Sequence, residues 1–515
     1  MDSGDAAGAA ESLQTAVALK STLLDASLLL ATALLLLKRL PDALAVVDRI
    51  LQDAPRQADA LAAALNCSLK MCDWSRLESI LACIRALDTG TARTQPFLLL
   101  AVSDDPEEQL RAACRRAETA AAAVTVLARP SSKSHERIRV AYVSGDFHAH
   151  ATSLLIAELL ELHDRSAFEI FGVSFGPDDE SPLRRRVLGA FDECLEARDK
   201  SDAEVAGWLA AREIDIAVDL KGYTAFSRPG IFAHRPAPVQ VSYLGYPGTL
   251  GAPFIDYLVA DPFLIPQAEQ RLYTEKIAYL PESYQVNDRR RSVAQDAPTR
   301  VEAGLPEEGF VFCCFNVSWK ITSPVFDVWM RLLAGVPGSV LWLLEDNAWA
   351  AQNLRREAVA RGIVPERLVF CARADNESHL ARHRLADLFL DTFPCNAHTT
   401  ATDALWMGLP VVTCAGRTFA SRVAGSLLRA VRLPELISAS LEDYEALALA
   451  LVRQPQRLIW LRERLTRDRE ALPLFDTSTF CRHLEGAYRH MWRLRQEGRG
   501  RESFIVERLG GVTPR

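Results

Sequence analysis

At 515 residues the chain is long enough for about three domains of ordinary size, each able to bury its own core. Hydrophobic residues make up 49% and the net charge is −7, which excludes the basic face that general nucleic-acid affinity requires. Eleven cysteines without a Cys-x-x-Cys pair read as reduced thiols in a cytoplasmic protein, excluding a disulfide framework and a zinc knuckle. The acidic start MDSGDAAGAAE has no basic n-region, and the apolar stretch 26–37 is too short to span a bilayer, so no membrane partner is expected.

From about residue 12 to 123 the pattern is helical and rich in Ala and Leu, with breaks at Pro41, Pro55, Asp73 and 88–91. Segment 24–57 has tetratricopeptide-like features: small Ala31, large Leu34, Ala43 after the turn, the apolar pair Val46-Val47 and Pro55 near the end. A looser second unit covers 58–91. Such units stack to bury their faces, and a plain helical bundle is the alternative. Residues 130–134, PSSKS, read as the linker.

Strands and helices then alternate. Runs at 139–143, 169–175, 214–220, 239–244 and 257–259 predict strands, separated by helices at 152–163, 183–192 and 202–212. After the polar stretch 287–307 the rhythm restarts, with strands at 310–315, 340–344, 368–370, 388–390 and 411–413 and a helical tail over 478–496. This βαβ rhythm implies parallel sheets. The expected layout is an α-helical region at 1–130, a Rossmann-like domain at 137–300 and a second at 306–500, an α/β fold with a cleft between its halves.

Loops at the carboxyl ends of such strands hold ligands. His150 lies on the first of them, where an imidazole can exchange a proton near neutral pH, although capping is the plainer role for a lone histidine. Gly248 and Thr249 lie in a glycine-rich turn, 245–251, that allows close backbone approach. Lys320 ends the first strand of the second set, placed to reach an anion. His379 and Arg382 share a helix face and can grip a diphosphate; His379 and His383 also have one-turn zinc spacing but lack a third ligand. His398, Thr399 and Thr400 fall at a helix start, where unpaired N–H groups and the helix dipole attract phosphate. A threonine there can equally be a cap. Asp403, one turn on, can accept from a ribose hydroxyl or serve as ordinary helix charge.

Five blocks in order resemble one family: SGDFHAHATS (144–153), RPAPVQVSYLGYPGTLGAPFIDYLVAD (235–261), FCCFNVSWK (312–320), SHLARHRLADLFLDTFPCNAHTTATDALWMGLPVV (378–412) and TFASRVAGSLL (418–428). They are similar to the O-linked N-acetylglucosamine transferases, glycosyltransferase family 41, in its bacterial SPINDLY-like branch. Cys72-Asp73-Trp74 and SDDPEEQLRAA (103–113) extend the likeness. The resemblance implies a GT-B fold behind tetratricopeptide repeats and inverting transfer of GlcNAc from UDP-GlcNAc to protein serine or threonine. By motif it implies His150 as proton acceptor, Lys320 on the diphosphate and His379 and Arg382 on the nucleotide. His398, Thr399 and Thr400 fall to phosphate, Asp403 to ribose, and Ala374 and Asn376 to the base pocket.

The chain departs from animal members at Val317, where they have glutamine, at Asn376, where they have lysine, and at Ala210, where they have a second histidine. The long insert between the halves is absent. No Asp-x-Asp occurs, so metal-independent transfer with no cofactor is expected. Two other readings stand beside this one: a GDP-fucose-dependent protein O-fucosyltransferase, and a repeat scaffold with a regulatory nucleotide-sugar site. The repeats are expected to choose the acceptor protein or to promote a homodimer.

Overall fold

The protein is described by a computed structural model over residues 5–20, 23–87, 95–122, 124–127, 135–296 and 298–509. The expected break at 88–91 and linker at 130–134 lie outside the described residues. No helix among them is long and apolar enough to cross a membrane.

The amino-terminal region is helical, as its pattern predicts: Leu24–Leu36 and Leu40–Asp53 form one helix pair, and Ala58–Met71 and Leu77–Leu87 the next. Pro41 sits in the first turn of its helix, where its missing N–H costs nothing. The repeat-like positions Ala31, Leu34, Ala43, Val46 and Val47 are all buried in one apolar cluster with Leu61 and Leu65.

Among the described residues fourteen strands follow in chain order. They are β1 (Ile138–Ser144), β2 (Phe168–Ser174), β3 (Glu193–Glu196), β4 (Ile216–Asp219), β5 (Val239–Ser242), β6 (Tyr257–Ala260), β7 (Lys276–Tyr279), β8 (Val311–Cys314), β9 (Val340–Leu344), β10 (Leu368–Cys371), β11 (Leu388–Leu390), β12 (Val411–Cys414), β13 (Ile437–Ser438) and β14 (Phe504–Ile505). All ten expected strands are present. Four more, β3, β7, β13 and β14, are short; β3 reads ECLE, too polar to stand out as an apolar run.

The chain divides into two compact units that cut across the three expected segments: Met1–Val102 with Pro298–Ala374 and Leu385–Cys395, and the remainder. In the first unit β8 to β11 run parallel in the order β10-β9-β8-β11. The helical region groups with them because its Ala58–Met71 helix is bonded to the loop after β8. Ser318 Oγ donates to Lys70 O at 2.8 Å, Asn347 Nδ2 to the same carbonyl at 2.8 Å, and Trp319 packs on the helical core with its ring 5.0 Å from Phe97. Cys72-Asp73-Trp74 takes part: Cys72 ends the helix in a left-handed conformation, and the Trp74 ring packs tilted against Phe326 with centroids 5.5 Å apart.

In the second unit eight parallel strands run β14-β7-β6-β5-β4-β1-β2-β3, and β12 pairs with β13. The order reverses at β1 and β4, so the crevice for a ligand lies at their carboxyl ends. The expected tail helix is Thr477–Gln496, and it buries Tyr488, Met491 and Trp492. A buried network locks it down: Tyr142 Oη meets His163 Nε2 at 2.8 Å and Tyr488 Oη at 3.1 Å, and Glu485 bonds His163 Nδ1 at 3.1 Å.

Candidate functional site

The helix start after β11 is built as the sequence implies. Strand Leu388–Leu390 is buried throughout, and the next helix is Thr399–Trp406 with His398 as its N-cap residue. The N-cap position is taken by His398, ahead of Thr399 and Thr400 in the first turn.

One turn along, the Asp403 carboxylate, 4% exposed, is bound through Oδ1 to Arg291 Nη1 at 2.5 Å. Arg291 is itself buried, so each charge compensates the other's desolvation. Gln285 Nε2 donates to Thr402 Oγ1 on the same helix.

His379 and Arg382 share the short helix Asn376–Arg382, which Asp375 caps by accepting from Ser378 N at 2.9 Å. His383 follows, wholly buried, and its Nδ1 donates to His379 O at 2.9 Å. Burial pushes its pKa down to about 3, reinforced by His379 and opposed by Asp403, so His383 is neutral and lies within electrostatic reach of both. The structure thus brings His379 and Asp403 around one fixed imidazole. Asn376 is half-buried, while Ala374 is exposed at the end of its first-unit segment.

Lys320 belongs to the first unit, on the short Ser318–Lys320 helical turn after β8. Its ammonium lies 5.5 Å from the Trp319 ring centre; burial raises the pKa of the nearby Cys314 and Cys395 thiols, and the Lys320 charge opposes part of that rise. Ser318 Oγ holds the turn, lying 2.9 Å from Asp346.

His150 caps the Ala151–Leu162 helix: its Nδ1 accepts from Thr152 N at 3.2 Å. The side chain is 43% exposed. Burial of its inner edge lowers its pKa; Asp146 raises it, and Lys221 and His148 lower it again, so the ring is neutral at neutral pH. Asp146 and Lys221 are residues the sequence reading passed over. Lys221 follows β4, a position that the carboxyl-end rule itself flags.

The glycine-rich turn is packed against neighbouring segments. Thr249, expected at the substrate, is buried and donates its hydroxyl to Glu275 at 2.6 Å, while Leu250 N binds the same carboxylate at 2.7 Å. Gly251, at φ +59°, lies where a Cβ would fall 2.3 Å from Cys114 N. Gly248 is buried in the same turn. These residues fit the turn to the helix Pro106–Ala121, and the one hydroxyl among them is already engaged.

Among the described residues, the group of potential metal ligands whose atoms lie within 4.8 Å of one another is His163, Cys481 and Glu485, in the buried network of the tail helix. Neither the His148/His150 pair nor the His379/His383 pair belongs to it.

The Glycosyl transferase family 41 profile matches residues 116–296 and 292–484, a span that includes every candidate residue. The chain belongs to glycosyl transferase family 41. A tetratricopeptide repeat profile matches residues 1–66. A probable UDP-N-acetylglucosamine–peptide N-acetylglucosaminyltransferase SEC of Arabidopsis thaliana is 39% identical over 378 residues, 72% of this chain and 39% of that protein. The SPINDLY protein of Petunia hybrida, carrying the same probable enzyme name, is 32% identical over 373 residues, 70% of this chain and 40% of its own length. The chain therefore spans about two fifths of the length of these curated relatives. A mutant of the O-GlcNAc transferase of Thermobaculum terrenum is 30% identical, with a TM-score of 0.82 and 96% of both chains covered. That likeness makes the fold GT-B: tetratricopeptide-like helices with two parallel-sheet α/β domains.

Proposed function

We propose that the protein is an inverting glycosyltransferase that moves GlcNAc from UDP-GlcNAc to serine or threonine hydroxyls of proteins. The observation that carries the reading is the start of the Thr399–Trp406 helix with its buried Asp403–Arg291 pair, inside the segment that matches the family. A helix start attracts a diphosphate through its dipole and N–H groups, and a carboxylate one turn on suits a ribose hydroxyl.

In the reaction the acceptor oxygen forms a bond to C1 of the sugar as the bond from C1 to the β-phosphate oxygen breaks. UDP leaves with the electron pair, and the hydroxyl proton goes to His150 Nε2. Charge then grows on the diphosphate. Arg382, His398 and the N–H groups at Thr399 and Thr400 are assigned to it, and so is Lys320 by its place in the FCCFNVSWK block; fixed donors of this kind supply most of such barrier lowering. Ala374 and Asn376 are assigned to the base and His379 to the nucleotide. With several cationic and N–H donors assigned to the leaving group, the transfer is read as metal-independent. The helical repeats are assigned to acceptor choice, in a cytoplasmic enzyme.

Binding and hydrolysis of UDP-GlcNAc, UDP-glucose and GDP-fucose by the full chain test this. UDP-GlcNAc should bind best, and Lys320→Ala should abolish turnover. If none binds more tightly than about 1 mM, roughly −4 kcal/mol, the transferase reading is wrong. Activity lost to chelator and regained with manganese would overturn metal independence.

A further inference from the structure

Asp146 follows β1 and Lys221 follows β4, the two strands at which the sheet order reverses, so their pair sits at the carboxyl-end crevice of the second unit. Lys221 Nζ lies 2.9 and 3.0 Å from the two carboxylate oxygens, and the side chains are only 7% and 9% exposed. A buried pair of this kind does little for stability relative to an apolar pair of the same shape. This one has a third member: Asp146 Oδ2 is 3.7 Å from Nδ1 of His150.

The same Nδ1 accepts from Thr152 N at 3.2 Å. A neutral imidazole carries one N–H, so while Nδ1 accepts, the proton sits on Nε2 and Nε2 has no lone pair for a hydroxyl's proton. For Nε2 to act as base, the ring proton must move to Nδ1, and Nδ1–H then needs an acceptor. The Asp146 carboxylate beside it is that acceptor.

We propose that Asp146 and Lys221 are positioning residues that select the tautomer of His150, the carboxylate taking Nδ1–H so that Nε2 faces the acceptor hydroxyl as a bare lone pair. The proposal rests on the reading of His150 as base. When Nε2 takes the proton, the imidazolium holds Nδ1–H against Asp146; no proton passes to the carboxylate, and the ring loses its extra proton from its exposed side to water. Lys221 fixes both oxygens of Asp146. Ser144 Oγ, accepting from Asp146 N at 3.0 Å, and Ser153 Oγ, donating to Asp146 O at 2.6 Å, hold the backbone. The other charged groups about this turn are His148 on the same segment, Asp179, which accepts from Ala149 N at 2.7 Å, and Arg184, which donates to Phe147 O at 2.8 Å. None of these is placed to take Nδ1–H.

The test measures hydrolysis of UDP-GlcNAc against pH in the full chain. Asp146→Asn should lower kcat at least tenfold, leave KM within about twofold, and move the acid limb to lower pH, because the carboxylate that raises the His150 pKa is gone. Lys221→Met should move that limb to higher pH, because a cation that lowers it is gone. Opposite shifts are something a purely structural pair does not produce. Should Lys221→Met not fold, Lys221→Arg must leave the limb in place, and Asp146→Asn alone decides. Full kcat in Asp146→Asn, or shifts in the same direction, overturns the proposal. Full turnover in His150→Ala overturns the base reading instead.

Discussion

The two polar turns of the second unit handle charge in opposite ways. At the Thr399–Trp406 helix the carboxylate of Asp403 is buried and tied to one buried arginine, and neighbouring His383 is locked neutral. At the 145–152 turn His150 is partly open to solvent and has two competing partners for one ring nitrogen, Thr152 N and Asp146. A region that holds a leaving group gains from groups that do not rearrange. A region that moves a proton needs a group whose two states are both within reach.

Removing the adjustable group should cost rate far more than stability. His150→Ala should lower kcat by about 10²–10⁴-fold while costing only the roughly 0.5–2 kcal/mol of a lost helix cap, read by steady-state kinetics and calorimetry. Removing the fixed group should do the reverse first: Arg291→Ala strands Asp403 as a buried charge and should cost about 3–5 kcal/mol in denaturant unfolding. If Arg291→Ala leaves stability intact, the two turns do not differ as described.

Smaller effects sharpen the contrast. Thr249→Val removes the shorter of the two hydroxyl hydrogen bonds to Glu275, the other coming from Thr274, and should cost about 1–3 kcal/mol while KM for UDP-GlcNAc holds; a large rise in KM would return Thr249 to the substrate. His383 gives the finest test, through pH. Its folded pKa, near 3, is below its unfolded value of 6.5, so the unfolded chain binds the extra proton between them and stability falls as pH drops through that window. The contribution approaches about 1.4 kcal/mol per pH unit, and His383→Gln should flatten the slope of unfolding free energy against pH, measured by denaturant titration, by up to that amount.

Much of this was legible in the chain. The strands with continuous apolar runs, such as Val340–Leu344 and Leu388–Leu390, announced themselves because a strand covered on both faces needs no polar side. The repeat pattern at Ala31, Leu34, Ala43, Val46 and Val47 did the same for the helices. Arg291 did not. It lies in the run Arg289-Arg290-Arg291, which reads as solvated charge, and only folding places its guanidinium against Asp403, 112 residues on. Nor did Thr249: a glycine-rich turn after a strand looks the same whether it cradles a ligand or a helix, and the difference is Glu275 on another segment.

The sequence by itself determined the order of elements, the family and the residue types at each strand-to-helix turn, because these depend on local periodicity and on motifs a few residues long. Tertiary structure alone decided which charges meet, because ion pairs such as Lys221–Asp146 and Arg291–Asp403 join segments that no spacing rule connects. It also decided that the repeats belong with the Lys320 loop, through the hydrogen bond from Ser318 to Lys70 across 248 residues.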